Sequence, residues 1–298
     1  MSKRIVLLIN STAGTVQRQG GDALVARLRE AASWADLDVR DTGDDPAEAA
    51  RQACADGPDV IAVAGGDGTA RCAAQAAHDT ECPSALIPLP LGTANLLPKR
   101  LYGERTPEQI LAEAKDYREV ALHAGLINGE VFFIAATAGF PSRLAEAREA
   151  ARPGGKGGRK LKAAWTKARA ALSIAFQPRL RVHVDGSDAT FARASAAMIV
   201  PGGVEDAFGV SHPHAGPARL ETYAFYPRNI GDAASITMMA LAQRWREHPR
   251  VKQAWADSVG LTGRRSIPIM LDGEPESLKP PVRISLAPEA VRFLAPTE

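Results

Sequence analysis

The sequence predicts an α/β plus all-β protein: a doubly wound α/β domain at the N-terminus and a β-sandwich-type domain at the C-terminus. Three observations carry this. Apolar runs of strand length alternate with helical patterns through the first third of the chain. Two of those runs break abruptly into Gly- or Pro-rich turns, Gly65-Gly66-Asp67-Gly68-Thr69 and Pro90-Leu91-Gly92-Thr93-Ala94-Asn95. From about residue 118 the pattern changes to short strands separated by turn signals. The expected division is residues 1–118 and 119–298, with the last strands free to return to the first domain.

The elements follow in order. Ile5 to Ile9 is too short for the apolar region of a signal peptide and reads as a first strand over 4–9. A polar loop from Asn10 to Gly14 follows, then an amphipathic helix near 21–35 with Leu24, Val25, Leu28, Ala31 and Ala32 on one face. Asp45-Pro46 is the N-cap and N1 pair of the next helix. Strand 59–64 contains the continuous apolar run Ile61 to Ala64, as a strand covered on both faces requires. Helix 70–79, strand 84–89 and helix 107–116 complete the alternation.

Beyond residue 118 the expected strands are 118–127, 130–137, 179–185, 189–200, 219–227, 266–271, 282–286 and 290–294. Asn128-Gly129 and Asp185-Gly186 are hairpin signals. Helical insertions are expected around 141–175 and 231–247.

Composition is that of an ordinary globular protein, with a net charge of +2 that gives no general affinity for nucleic acid. Three cysteines (Cys54, Cys72, Cys82) make neither a disulfide framework nor a zinc set, and read as free thiols in a reducing cytosol. No stretch approaches a membrane span. The glycine turn at 65–69 brings backbone N–H groups and a helix N-terminus to one place, a natural phosphate site. Asp67 is odd there, since a carboxylate repels an anion unless a metal or a hydroxyl meets it. The plain alternative is a βα turn with a capping Asp.

Taken with the second turn and with Asp272-Gly273-Glu274, the loop at 65–69 resembles the diacylglycerol kinase catalytic-domain superfamily, which includes bacterial lipid kinases and sphingosine kinases. The resemblance implies a nucleotide-binding α/β domain, a β-rich substrate domain and an active site in the cleft between them. It implies ATP and Mg²⁺ as cofactors and a lipid hydroxyl, such as that of diacylglycerol, as acceptor. By position it assigns nucleotide contacts to Asn10, Gly14, Thr42, Gly65, Gly66, Asp67, Gly68, Thr69, Thr93 and Asn95. Catalytic roles fall on Glu274 as general base, on Asp272 as an orienting or metal-linked partner, and on Asp67. Read alone, Asp272-Gly273-Glu274 is a hairpin turn and Thr42 an N-cap. The sequence names no metal ligand set.

This chain also departs from the family. Ser11 stands where proline is usual, Arg71-Cys72 replace a polar and acidic pair, and Pro201 replaces an asparagine. The Asp-Gly that helps bind a structural magnesium in bacterial members has no counterpart between Pro213 and Leu220, so no such ion is expected there. These departures keep a second reading open: a catalytically degenerate nucleotide- or lipid-binding regulatory protein. NAD kinase, which shares the Gly-Gly-Asp-Gly loop, is a third. His212 and His214 read as loop residues rather than metal ligands.

Nine Lys/Arg lie between Arg143 and Arg169, with a glycine-rich stretch and Trp165. A solvated basic helix and a landing surface on anionic lipid are both open readings of this stretch. The expected setting is cytoplasmic with peripheral membrane association, with no nucleic acid partner and with a homodimer left open.

Overall fold

The structure, a computed structural model, describes residues 2–11, 14–18, 20–139, 180–185, 190–203, 217–241, 244–263 and 266–296. These fall into two compact units. The first comprises residues 1–134, 201–218 and 287–298, and the second residues 135–200 and 219–286. The expected insertion at 141–175, the basic stretch 143–169, the Asp185-Gly186 turn beyond Asp185, and His212 and His214 lie outside the described residues.

In the first unit, β1 (Arg4–Ile9), β2 (Asp36–Asp41), β3 (Val60–Gly65) and β4 (Ala85–Pro90) pair in parallel in the order β2-β1-β3-β4. β3 is buried along its whole length, and β1 and β4 at all but one residue each. That is why the sequence shows them as continuous apolar runs. β2 is the edge strand. Its Asp36, Asp38, Arg40 and Asp41 leave it only half covered, so no apolar run announces it.

Helices α1 (Gly14–Arg18), α2 (Gly21–Ala31), α3 (Pro46–Asp56), α4 (Asp67–Asp79), α5 (Leu96–Tyr102) and α6 (Pro107–Glu113) connect the strands. The predicted cap of α3 is present: the Asp45 side chain accepts from the Glu48 N–H at 3.0 Å, and Pro46 takes N1. α2 buries Leu24 and Leu28 but ends at Ala31, short of the expected 35. Trp34, beyond it, donates its indole N–H to the Leu111 carbonyl at 2.8 Å, which holds that turn against α6. Of α5 the sequence reading has no trace, because a short helix containing Pro98 carries too little periodicity.

β5 (Arg118–Ile127) and β6 (Glu130–Phe132) form the hairpin expected at Asn128-Gly129, both of which have positive φ, as a type I′ turn requires. A long strand, β16 (Val282–Ala295), supplies both units. Phe293 pairs in parallel with Leu86 of β4 and meets Phe133 edge-on at 5.4 Å. The Tyr102 hydroxyl donates to the Leu294 carbonyl at 2.9 Å. Buried His123 accepts the Glu289 N–H at Nδ1. The two expected strands 282–286 and 290–294 are therefore one strand, irregular at Pro288-Glu289, where Glu289 has φ 47°.

The second unit holds a six-stranded sheet in the order β12-β11-β10-β7-β14-β15. Its strands are β7 (Ala136–Gly139), β10 (Ala196–Pro201), β11 (Leu220–Phe225), β12 (Val251–Ala256), β14 (Ile267–Leu271) and β15 (Glu274–Leu278). The start of β16, β13 (Ser258–Thr262), β8 (Leu180–Asp185) and β9 (Thr190–Ala194) lie side by side in antiparallel pairs. β11 approaches β9 and β13, so two antiparallel layers share one core. A helix, α7 (Ile230–Leu241), interrupts the described strands and overlaps the expected second insertion. Strands β12, β13 and β15 escape the sequence reading. β12 and β15 are edge strands with polar or proline-containing sequence, and β13 is five residues with a central glycine. The expected strands 130–137 and 189–200 are each broken, at 133–135 and at Ser195.

Candidate functional site

The register of the parallel sheet brings four strand ends to one edge. Ile9 pairs with both Asp41 and Ala64, and Gly65 with Pro90. The chain leaves β1 for β2 on one side, while β3 lies on the other. The order therefore reverses between β1 and β3, which is where open α/β sheets leave a ligand crevice. Asn10 and Gly66 follow the two strands at that point, and the Asn10 N–H donates to the Ala64 carbonyl at 3.2 Å. Thr42, buried, donates its N–H to Ile9 at 2.9 Å. Gly14 opens α1, and residues 12 and 13 before it lie outside the described set.

Asp41, which the sequence reading overlooks, ties the first loop down. Its carboxyl is held below the ordinary aspartate range by the Ser11 hydroxyl and by the Gly43 N–H at 2.9 Å. The signal was available in the sequence: a carboxylate one residue before a Thr-Gly pair at the end of a strand, opposite the Ser11 that replaces the usual proline.

The two motif turns interlock. A Cβ built on Gly92 would lie 2.7 Å from the Gly66 Cα and 2.9 Å from the Asn95 Oδ1. Only hydrogen at that position allows backbone to meet backbone. A Cβ on Gly65 would come within 2.6 Å of the Thr69 Cβ, so that glycine makes room for the threonine. Gly66 is the N-cap of the 13-residue helix α4, in extended conformation and with no side-chain cap. Asp67, Gly68 and Thr69 form its first turn, whose N–H groups have no partner within the helix. Such an end suits an anion.

Asp67 is engaged within the protein itself. Its Oδ2 accepts the Asn95 N–H at 2.7 Å and its Oδ1 accepts the Leu96 N–H at 2.6 Å. The carboxylate of one helix thus caps the N-terminus of another, α5, since Asn95 offers no side-chain cap of its own. Each oxygen keeps a second lone pair for a further donor or a cation. Asn95 is left-handed (φ 53°), and its side chain folds back on Gly92: Oδ1 accepts the Gly92 N–H at 2.7 Å and Nδ2 donates to the Gly92 carbonyl at 3.2 Å. Thr93 stands exposed at the tip of this turn. Gly65, Gly66, Asp67, Thr69, Gly92 and Asn95 are thereby one packed unit. Gly92 and the Leu96 amide, absent from the expected site residues, are as much part of it as the others.

Arg71 and Cys72 follow on α4. Arg71 Nη1 lies 3.9 Å from the Glu130 Oε2 on β6, and burial pushes the Cys72 thiol up. On the same helix, Gln75 Oε1 accepts the Val131 N–H at 2.7 Å and its amide donates to the Gly129 carbonyl at 3.1 Å.

Asp272 and Glu274 belong to the second unit. Asp272-Gly273 is the two-residue turn between β14 and β15, with φ 48° and 91°. Asp272 is 7% exposed. Its Oδ1 accepts the Ala135 N–H at 3.1 Å, and its own N–H donates to the Ala135 carbonyl at 3.0 Å. The turn is thereby pinned to the start of β7. Glu274 opens β15 opposite Leu271 and is exposed. Among the described residues no cluster of three or more His, Cys, Asp or Glu side chains comes together to hold a metal ion.

Residues 4–125 match the family model for the diacylglycerol kinase catalytic domain. A protein named "Probable lipid kinase YegS-like" from Pseudomonas fluorescens is 35% identical over 146 residues, 48% of each chain. One of the same name from Pseudomonas aeruginosa is 32% identical over 128 residues, 43% of this chain and 38% of that one. The alignment with these curated relatives thus spans about half their length or less. A crystal structure of a diacylglycerol kinase from Bacillus anthracis str. Sterne shares the fold over 99% of this chain and 97% of its own, with a TM-score of 0.66 and 15% identity. A second chain from that organism gives 0.69 and 18%, over 99% and 98%. Residues 4–125, which carry both interlocked turns, are thus similar to the diacylglycerol kinase catalytic domain, and the fold seen in the Bacillus anthracis structures extends over nearly the whole chain.

Proposed function

We propose that this protein is an ATP-dependent lipid kinase that transfers the γ-phosphoryl group to the hydroxyl of a lipid such as diacylglycerol. The observation that carries the reading is the interlocked pair of turns, Gly65–Thr69 and Gly92–Asn95, at the carboxyl ends of neighbouring strands within the matched family region. Phosphoryl transfer asks for positioned phosphates and neutralised charge more than for covalent chemistry. The first-turn N–H groups of α4 suit phosphate oxygens, and Asn10 and Thr42 follow β1 and β2 at the same sheet edge, with Gly14 and Thr93 proposed to join them. Asp67 braces the second turn and has lone pairs left for a nucleotide hydroxyl or a cation. Magnesium, which with ATP supplies charge neutralisation at the phosphates, would be held by those phosphates and few protein carboxylates. Glu274 is the proposed general base for the acceptor hydroxyl, and Asp272 positions it through the fixed turn.

The test is the full chain with ATP, Mg²⁺ and detergent-dispersed diacylglycerol beside a panel of other lipid alcohols, read by mass spectrometry of the phosphorylated lipid. Lipid-dependent product and ADP are expected. Glu274→Gln should lower kcat by about 10²–10⁴-fold while ATP still binds. No product with any acceptor would overturn the reading. Arg71 and Cys72 favour the second reading, nucleotide binding without turnover. Calorimetry showing ATP bound, with no ADP released, would establish that instead.

A further inference from the structure

Helix α7 carries no charged side chain after Asp232: the nine residues from Ala233 to Leu241 are all uncharged. Gly231, Ser235 and Met238, spaced four and three apart, form an exposed stripe. Met238 is 65% exposed, and among the described residues it is the large hydrophobic side chain that stands out in this way. Helices α2 and α3 do the opposite. α2 exposes Asp22, Arg27, Arg29 and Glu30, and α3 exposes Glu48, Arg51 and Asp56. A helix that meets water normally carries charge on that face. α7 lacks it where it is most open.

The surroundings are cationic and aromatic. Between residues 226 and 252 there are five cations (Arg228, Arg244, Arg246, Arg250, Lys252) against two carboxylates, Asp232 and Glu247. Trp245, half-buried, stacks on Phe225 at 5.7 Å and meets Tyr223 at 4.4 Å. The Arg246 guanidinium lies 6.0 and 5.9 Å from the Tyr223 and Trp245 rings, and Lys252 lies 5.6 Å from the Tyr226 ring. An uncharged helical face with an exposed Met238, beside a Trp and a surplus of cations, is what an anionic lipid surface selects. A second copy of this chain fits poorly, because a symmetric contact would bring the two cationic flanks together.

We propose that α7 and the flank from Arg244 to Lys252 dock this protein on an anionic bilayer, with Met238 entering the headgroup boundary and the arginines meeting lipid phosphates. The choice of a bilayer rests on the lipid-kinase reading, but docking does not require turnover. This surface is separate from the basic stretch 143–169.

The experiment is co-sedimentation of the full chain, without nucleotide, with vesicles of phosphatidylcholine alone or mixed with phosphatidylglycerol. Binding should need the anionic lipid and fall with added salt. Met238→Glu should weaken partitioning about tenfold or more. Arg228→Gln and Lys252→Gln should each weaken it roughly fivefold. Ala26→Glu, which adds the same charge to the exposed face of α2, should change nothing. Met238→Ser, with its melting curve, controls for folding. If Met238→Glu binds anionic vesicles as the parent does, the proposal is overturned and docking lies elsewhere, as at 143–169. It is equally overturned if Met238→Glu only dissolves a self-associated form seen by light scattering. A protein that docks through α7 yet phosphorylates no lipid refutes the kinase reading alone.

Discussion

Replacing Asp67 with alanine tests whether this motif carboxylate holds the site together as well as serving it. The substitution removes two acceptors at 2.7 and 2.6 Å from the Asn95 and Leu96 N–H groups, and with them the side-chain cap of α5. A lost N-cap costs about 1 kcal/mol and up to about 2, and a hydrogen bond to a charged group about 1.5–3 kcal/mol when buried. Asp67 is half-exposed, so water recovers part of this. For the two bonds together we expect a loss of about 2–3 kcal/mol. At about 2–4 °C per kcal/mol for a unit of this size, the transition of the first unit should fall by about 4–12 °C. Asp67→Asn keeps one acceptor but turns an amide N–H₂ toward a backbone donor, so it should fall between alanine and the parent. The assay is thermal unfolding by circular dichroism, with ATP affinity by calorimetry on the same samples. An alanine variant that melts within about 0.5 kcal/mol of the parent, while losing ATP binding, refutes the bracing role and leaves Asp67 a ligand contact only.

Two other outcomes follow from the same edge of the sheet. Gly92→Ala must push a Cβ 2.7 Å from the Gly66 Cα, against backbone that cannot rotate away, so it should cost about 1–3 kcal/mol and weaken ATP binding. A variant with unchanged melting and affinity would show that the two turns separate freely. Asp41, whose carboxyl lies below its ordinary range because of Ser11 and Gly43, binds its proton less tightly folded than unfolded. Its contribution is therefore complete above the ordinary Asp range and is lost as pH falls through its own lowered value. Ser11→Ala should raise the Asp41 titration seen by carboxyl NMR, and its melting deficit at neutral pH should vanish in strong acid. An Asp41 titration that does not move refutes the link.

The buried half of the fold was legible because burial on both faces writes itself as uninterrupted apolar sequence, as in Val60–Gly65 and Ala85–Pro90. The edges were not. β2, β12 and β15 carry charges or proline because unpaired backbone must be protected, and that chemistry looks like loop. The candidate site was legible where its residue types are unusual. Glycines beside a carboxylate announced 65–69, but nothing in the sequence shows that Asp67 reaches Asn95 and Leu96, 28 and 29 residues on. Tertiary hydrogen bonds leave no periodicity behind. The same holds for Asp272, whose partner Ala135 lies 137 residues earlier.

Strand β16 also sets an order of events on the ribosome. The first unit is read out by residue 134 except for residues 201–218 and a strand that arrives after residue 286. Val291, Phe293, Leu294 and Ala295 are buried core of that unit, beside β4 and against Phe133 and Tyr102. A nascent chain that has emerged only to residue 134 thus presents an open flank along β4. It must keep that flank from other chains while another 150 residues or so are made, at about 5–20 residues per second. A fragment ending at 134 should therefore aggregate, and a peptide spanning β16 supplied in trans should rescue it.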